Sequence, residues 1–178
     1  SGLFRISELL DLRAKDIVLA AEHLEIAVRK SKTDQYRQGN VVYIAKTNGP
    51  ACPHSVLSRF YFLTGIQPRS EAYIFCPLSS LAHIQSGKSN KTKNKPISYT
   101  RCREIVKETL AGVGENPYYS THSVRAGGAT AIAESVKGMP DGGRLLRLKG
   151  RWKTDSSRDM YIKDSLSSRL PITKSLKL

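Results

Sequence analysis

Acidic side chains are scarce in this chain: 15 Asp and Glu stand against 29 Lys and Arg, a formal charge of +14 over 178 residues. That surplus excludes the balanced surface of a typical soluble domain and calls for a polyanionic partner. Cysteine is scarce as well. Cys52, Cys76 and Cys102 are odd in number and share no CxxC spacing, which argues against a disulfide framework and for a reducing compartment. Cys52-Pro53-His54 is the one close Cys/His pair, so no metal site is expected. No apolar run approaches the roughly 20 residues of a spanning helix, and no basic amphipathic helix carries a bulky aromatic face. A membrane partner is therefore not expected. The N-terminus lacks the charged start, apolar middle and small-residue cleavage site of a secretory signal. It reads as the middle of a longer protein. Nucleic acid is the partner class left standing.

What is present is enough for one ordinary core, since 39% of the residues are hydrophobic, and one domain is expected. Leu3, Phe4, Ile6, Leu9, Leu10 and Leu12 recur at helical spacing and place Arg5 on or beside a short helix with one buried face. Leu24, Ile26 and Val28 alternate with more polar neighbours, and Val41 to Ala45 is a second β-rich run, so Lys32 sits near a hairpin tip between them. Ala72 to Cys76, ended by Pro77, reads as a third short strand. Ser55 to Thr64 looks helical and stops at Gly65. Ser86 to Lys95 (SGKSNKTKNK) is a basic low-complexity loop. Beyond it, Ser98 to Gly112, His122 to Val136, Arg144 to Lys149 and Ser156 to Ile162 all have helical character, with a break at Gly138-Met139-Pro140. The architecture predicted is α+β, mainly helical, with a small antiparallel three-stranded sheet.

A set of polar side chains stands in a fixed order along these elements: Arg5, Lys32, His122, Arg125, Trp152 and Tyr161. Their chemistry is coherent. Attack on a phosphodiester builds negative charge on two non-bridging oxygens, which an arginine fork matches bidentately; Arg5 and Arg125 are the candidates. The leaving 5′ oxygen needs a proton, and a lysine at a hairpin tip can deliver it, so Lys32 is the candidate general acid. A phenol in water releases its proton only near pH 10, which makes a phenolate at pH 7 cost about 4 kcal/mol unless cations assist. An imidazole titrates near neutrality and can accept or relay that proton, the role open to His122. Trp152 offers an indole N–H to the phosphate and a ring to buttress the site. No metal or other cofactor is needed.

These residues carry a resemblance. Arg5-Ile6-Ser7-Glu8-Leu9, Lys32, His122-Ser123-Val124-Arg125, Trp152 and, nine positions on, Tyr161 resemble the R-x-x-E-L helix, hairpin lysine, H-x-x-R box, His/Trp and tyrosine of the phage-integrase family of tyrosine recombinases. Each box alone is weak; the joint order is specific and covers nearly the whole chain. The wording SGLFRISELL and HSVRAGGAT resembles recombinases of eukaryotic mobile elements more than bacterial ones. The resemblance implies DNA cleavage and rejoining through a covalent 3′-phosphotyrosine, with double-stranded DNA and a homo-oligomer on DNA as partners. It makes residues 1–165 the catalytic domain, without the DNA-grasping domain that usually precedes it, and 166–178 a C-terminal tail. Glu8 is read as a support for Arg5. Arg29, Lys30, Arg37, Lys88, Lys91, Lys93, Lys95, Arg151 and Lys153 are the expected DNA-binding side chains. A nuclear location is expected for a eukaryotic source and a cytoplasmic one otherwise; secretion is not expected.

Blander readings compete at each position. Arg5 pairs with Glu8 at i, i+3 on any surface helix; Lys32 lies in a solvated charge run with Arg29, Lys30 and Arg37, where Lys30 is the competing lysine; His122 caps its helix; Trp152 is a core residue. Tyr118 and Tyr119 compete with Tyr161 as nucleophiles. The small residues Ala126-Gly127-Gly128-Ala129 cost helix propensity unless something approaches closely, such as a neighbouring helix. The interval of 36 residues from Arg125 to Tyr161 is slightly long for the family and leaves the placement of the tyrosine segment open. A type IB topoisomerase-like enzyme and a non-catalytic basic DNA-binding module remain as alternatives; the first usually has histidine where Trp152 stands.

Overall fold

Alternation along two strands builds the first half of the molecule. In β2 (His23–Val28) Leu24, Ile26 and Val28 are buried while their neighbours are more exposed, and in β3 (Asn40–Ala45) Val42 and Ile44 turn the same way. The two pair antiparallel from His23↔Ala45 to Val28↔Asn40, which sets Leu24 opposite Ile44 and Ile26 opposite Val42 on one face. With Leu12 and Ile17 they form the core, against which Phe4, Leu57 and Ile74 pack. Each such side chain, fully buried, contributes about 1.5–3 kcal/mol. The computed structural model describes residues 2–29, 39–77, 94–112 and 119–164, together with Leu170 and Ser175. Lys30, Lys32, Arg37, Lys88, Lys91, Lys93 and Tyr118 lie outside the described residues, as does most of the tail.

The third strand is not the expected one. β1 (Ile17–Leu19) supplies it, antiparallel to β2 with Ile17 opposite Ile26, in the order β1-β2-β3. A three-residue strand between Arg13-Ala14-Lys15-Asp16 and Ala20-Ala21-Glu22 is too short to show a period of two, and its flanks favour helix. Residues 72–76 form no strand: Ala14 N–H donates to Ala72 O at 2.8 Å, Ile74 N–H to Leu12 O at 3.0 Å, Arg13 and Tyr73 form an isolated bridge, and the chain bends at Ile74 and Phe75. Their donors and acceptors are used piecemeal, so no ladder forms.

Helices fill the rest: α1 (Ile6–Leu10), α2 (Pro53–Thr64) and α3 (Tyr99–Leu110) in one compact unit, Ser1–Gly114, and α4 (Thr121–Ser135), α5 (Gly142–Gly150) and α6 (Asp155–Asp159) in a second, Glu115–Leu178. α2 ends where glycine was expected to end it, with Gly65 in the left-handed region at φ 67°. In the second unit α5 contacts both α4 and α6. The break at 138–143 is a tight turn: Gly138 and Asp141 take φ of 83° and 58°, and Gly142 N–H donates to Met139 O at 3.1 Å. Gly142 has no alternative residue, because a Cβ there would stand 2.4 Å from Val136 O. Among the described residues no helix is long and apolar enough to cross a membrane.

The close-approach reading of the small residues in α4 holds at one position and fails at another. Ala129 is fully buried, whereas a Cβ at Gly127 would meet no heavy atom within 4 Å. A glycine inside a helix costs about 1 kcal/mol against alanine. Gly127→Ala is therefore expected to stabilise the chain by about that amount and to raise a thermal midpoint by roughly 2–4 °C. A lower midpoint would show that the space beside Gly127 is not open.

Candidate active site

In the second unit the chain folds three of the predicted side chains onto one another. α4 starts at Ser120, whose hydroxyl accepts Ser123 N–H at 3.4 Å while Ser123 Oγ accepts Ser120 N–H at 3.1 Å. This reciprocal cap fixes the first turn. It puts His122 on the exposed side and, three residues later, Arg125 on the buried one. The cap is made by the serines, not by His122, so the capping role considered for the imidazole belongs to its neighbours. Arg125 is 4% exposed, and its Nη2 donates to Gly150 O at 2.8 Å.

Gly150 is the last residue of α5, and the turn beyond it shapes the site. Arg151 takes φ 56°, Arg151 N–H donates to Leu148 O and Trp152 N–H to Arg147 O, both at 3.1 Å. This is a Schellman ending with arginine in the left-handed position usually given to glycine. It folds the Trp152 ring back over Gly150, where a Cβ would lie 1.8 Å from Cζ3 of the indole. The glycine is thus needed for its missing side chain, not for its dihedral angles. Trp152 is buried, and its Nε1 has no hydrogen-bond partner among the described residues. An orphaned buried donor costs on the order of 1–3 kcal/mol, a penalty that an incoming acceptor would lift.

α6 then returns the chain to the same place. Thr154 caps it by accepting Ser157 N–H at 3.2 Å, and Arg158 Nη1 ties it to the start of α5 through Gly143 O at 3.0 Å. Tyr161 is not on this helix, contrary to the expectation for Ser156 to Ile162. It lies in the turn after it, with its N–H on Arg158 O at 2.9 Å. The Tyr161 ring packs at 5.4 Å and 41° to Trp152. The Arg125 guanidinium carbon stands 5.2 Å from the centre of each ring. Shielded cation–ring contacts of this kind are worth on the order of 1–2 kcal/mol. The long interval from Arg125 to Tyr161 does not separate the two.

Lys149, beside Arg151, has its ammonium pushed below the usual lysine range by burial and then by the Arg151 charge. Arg151 is half-buried and Lys153 exposed. Sequence reasoning missed Gly150, and the signal that was present, a glycine two residues before the single tryptophan, reads as an ordinary helix end.

In the first unit, Arg5 is the residue that opens α1. Its backbone N–H donates to Glu8 Oε2 at 2.8 Å and its Nη1 to Glu8 Oε1 at 2.9 Å. The Glu8 side chain is 2% exposed and that of Arg5 20%, so this is not the surface pair of the bland reading. One carboxylate caps the helix and orients the guanidinium, the supporting role given to Glu8. Arg29 is engaged through Nε by the buried carboxylate of Asp16, and Lys95 is exposed. Among the described residues no group of His, Cys, Asp and Glu is arranged to hold a metal ion.

No protein-family model and no curated protein matches the chain. Solved structures do. The crystal structure of XerA recombinase matches over 99% of this chain and 54% of its own length, with a TM-score of 0.63 at 15% identity. XerH site-specific recombinase, in a pre-cleavage complex with its difH substrate, matches over 98% of this chain and 43% of its own, with a TM-score of 0.59 at 15% identity. The chain thus spans about half the length of these proteins. Over nearly all of its residues it has the mainly helical α+β fold, with a three-stranded antiparallel sheet, of the tyrosine recombinases XerA and XerH.

Proposed function

We propose that the chain cuts and rejoins DNA strands by transesterification, as the catalytic domain of a site-specific recombinase or mobile-element integrase. The observation that carries this is the packing of Tyr161 beside a buried arginine guanidinium and a tryptophan whose indole N–H awaits an acceptor. The guanidinium beside the Tyr161 ring is the group that matches the oxygens of a phosphodiester. The likeness to a recombinase solved with its DNA substrate and the charge of +14 support DNA as the partner.

In the proposed reaction the Tyr161 oxygen bonds to the phosphorus and the bond from phosphorus to the 5′ oxygen breaks. The tyrosine proton passes to His122, and Lys32 gives a proton to the leaving 5′ oxygen, which departs as a hydroxyl. Arg5 and Arg125 hold the non-bridging oxygens, with Trp152 donating its N–H. Arg5, Lys32 and His122 take these roles from their order in the sequence and the chemistry of their side chains. One phosphodiester is exchanged for another, so a 5′ hydroxyl can reverse the step without ATP. Assembly as a homo-oligomer on DNA belongs to the same proposal.

Covalent capture tests it. The chain is mixed with labelled, nicked duplexes of varied sequence, denatured in detergent and digested, and the adduct is mapped by mass spectrometry. Attachment of a 3′ phosphate to the peptide holding Tyr161 is the expected result. Attachment at Tyr119 or another tyrosine would sink the assignment, and DNA binding without any adduct would leave the non-catalytic module. Relaxation of supercoiled plasmid by the chain, without strand exchange, would favour the topoisomerase-like reading.

A further inference from the structure

One α4 residue outside the predicted set touches the Tyr161 segment through hydrogen bonds. The Thr130 hydroxyl accepts Lys163 N–H at 3.0 Å and lies 3.5 Å from Tyr161 O, the outer limit for a hydroxyl donor. Upstream of Tyr161 the backbone is secured to α6, with Tyr161 N–H on Arg158 O and Ile162 N–H on Asp159 O at 3.2 Å. Downstream, the bond from Lys163 N–H to Thr130 ties the chain to α4. Arg125 belongs to the same helix and faces the Tyr161 ring.

We infer that Thr130 is a positioning residue that locks the Tyr161 backbone to the helix carrying Arg125, so that the phenol oxygen and the guanidinium keep one relative placement. The inference rests on the reading of Tyr161 as the nucleophile. Its physical basis is the steep dependence of reaction on geometry: a displacement of about 1 Å costs on the order of a hundredfold in rate. A tyrosine in a turn after a five-residue helix has little intrinsic rigidity. The bond from Lys163 N–H to the Thr130 hydroxyl, with that oxygen also standing 3.5 Å from Tyr161 O on the other side of Ile162, supplies it. The threonine side chain is suited to this, because its β-branch leaves few rotamers and its oxygen both donates and accepts.

Thr130→Val keeps the shape and removes the hydroxyl; Thr130→Ser keeps the hydroxyl. Trp152 is the only tryptophan and packs on Tyr161, so its emission reports the tyrosine's placement independently of any reaction. The expected result is a red-shifted, more acrylamide-quenchable emission in Thr130→Val, and wild-type emission in Thr130→Ser. On nicked duplexes Thr130→Val should form the adduct about tenfold to a hundredfold more slowly, at an affinity for DNA within about twofold of wild type, with Thr130→Ser restoring the rate. Unchanged emission in Thr130→Val overturns the inference, as does an equal shift in both variants, which would mean that β-branch packing and not the hydroxyl matters. Shifted emission with an unchanged adduct rate overturns the positioning role as well. Failure of the reading beneath it looks different: wild type forms no adduct, or Tyr161→Phe still forms one, while the emission series continues to judge the Thr130 bonds.

Discussion

Replacing Tyr161 by phenylalanine is expected to abolish covalent capture of DNA while leaving the fold and the affinity for DNA nearly unchanged. The substitution removes one oxygen. The ring contacts with Trp152 and with the Arg125 guanidinium, at 5.4 and 5.2 Å, are made by carbon atoms that phenylalanine retains. The backbone bonds to Arg158 and Thr130 are retained too. Stability should therefore change by less than about 1 kcal/mol, the ordinary range for removing a half-buried hydroxyl. A transesterification that uses the tyrosine oxygen has no route without it, so the expected loss is total and not a matter of rate. Gel-resolved adduct formation and a binding titration on the same nicked duplex separate the two effects. An adduct that survives in Tyr161→Phe would move the nucleophile elsewhere, with Tyr119 the first candidate. Loss of binding together with the adduct would show that the hydroxyl holds DNA and does not attack it.

The range of each interaction decided whether the sequence made it legible or hid it. The inner face of the sheet could be read directly, because Leu24, Ile26 and Val28 repeat with the strand's own period and Val42 and Ile44 answer them across the ladder. The start of α4, the stop of α2 at Gly65 and the pairing of Arg5 with Glu8 could also be read, since each is settled within four residues. The third strand could not. Ile17–Leu19 is a strand because Leu24–Ile26 pairs with it, while residues 72–76, the better β sequence, meet Leu12 and Ala14 instead; tertiary pairing overrode propensity.

The candidate site divides along the same line. The residues with chemistry were visible as types in an order. Those that hold them were not: Gly150 and Thr130 act through backbone and shape on partners 2–33 positions away. The demand on Gly150 is open to a direct check. Gly150→Ala drives a methyl group into the buried indole, and overpacking of this kind costs about 1–3 kcal/mol. A lower urea midpoint and a red shift of the Trp152 emission are the expected outcome, and a double variant with histidine at position 152, a smaller ring, should recover part of the stability. Unchanged stability and emission in Gly150→Ala would show that the ring does not lie against the glycine.

Arg125→Lys should be the most damaging change that preserves charge, lowering the rate of adduct formation by about a hundredfold to a thousandfold. Lysine keeps the cation but has neither the planar fork nor the flat face. The fork is what lets one side chain bond Gly150 O at 2.8 Å through Nη2 while lying 5.2 Å from two aromatic rings. An ammonium is a compact, strongly hydrated point charge; in a position 4% exposed it meets a larger desolvation penalty than a delocalised guanidinium does. The cost is expected in two measurements. Unfolding free energy should fall by about 1–3 kcal/mol from the lost carbonyl bond and ring contacts. Single-turnover cleavage, assayed well below the new melting temperature, should fall much further, because only a fork can bond two non-bridging oxygens as their charge develops. Affinity for DNA, carried by many cations on a chain of charge +14, should weaken by no more than a few-fold. If Arg125→Lys cleaves within about threefold of wild type, then positive charge alone suffices at this position, and Arg125 is a packing residue whose guanidinium plays no geometric part in the reaction.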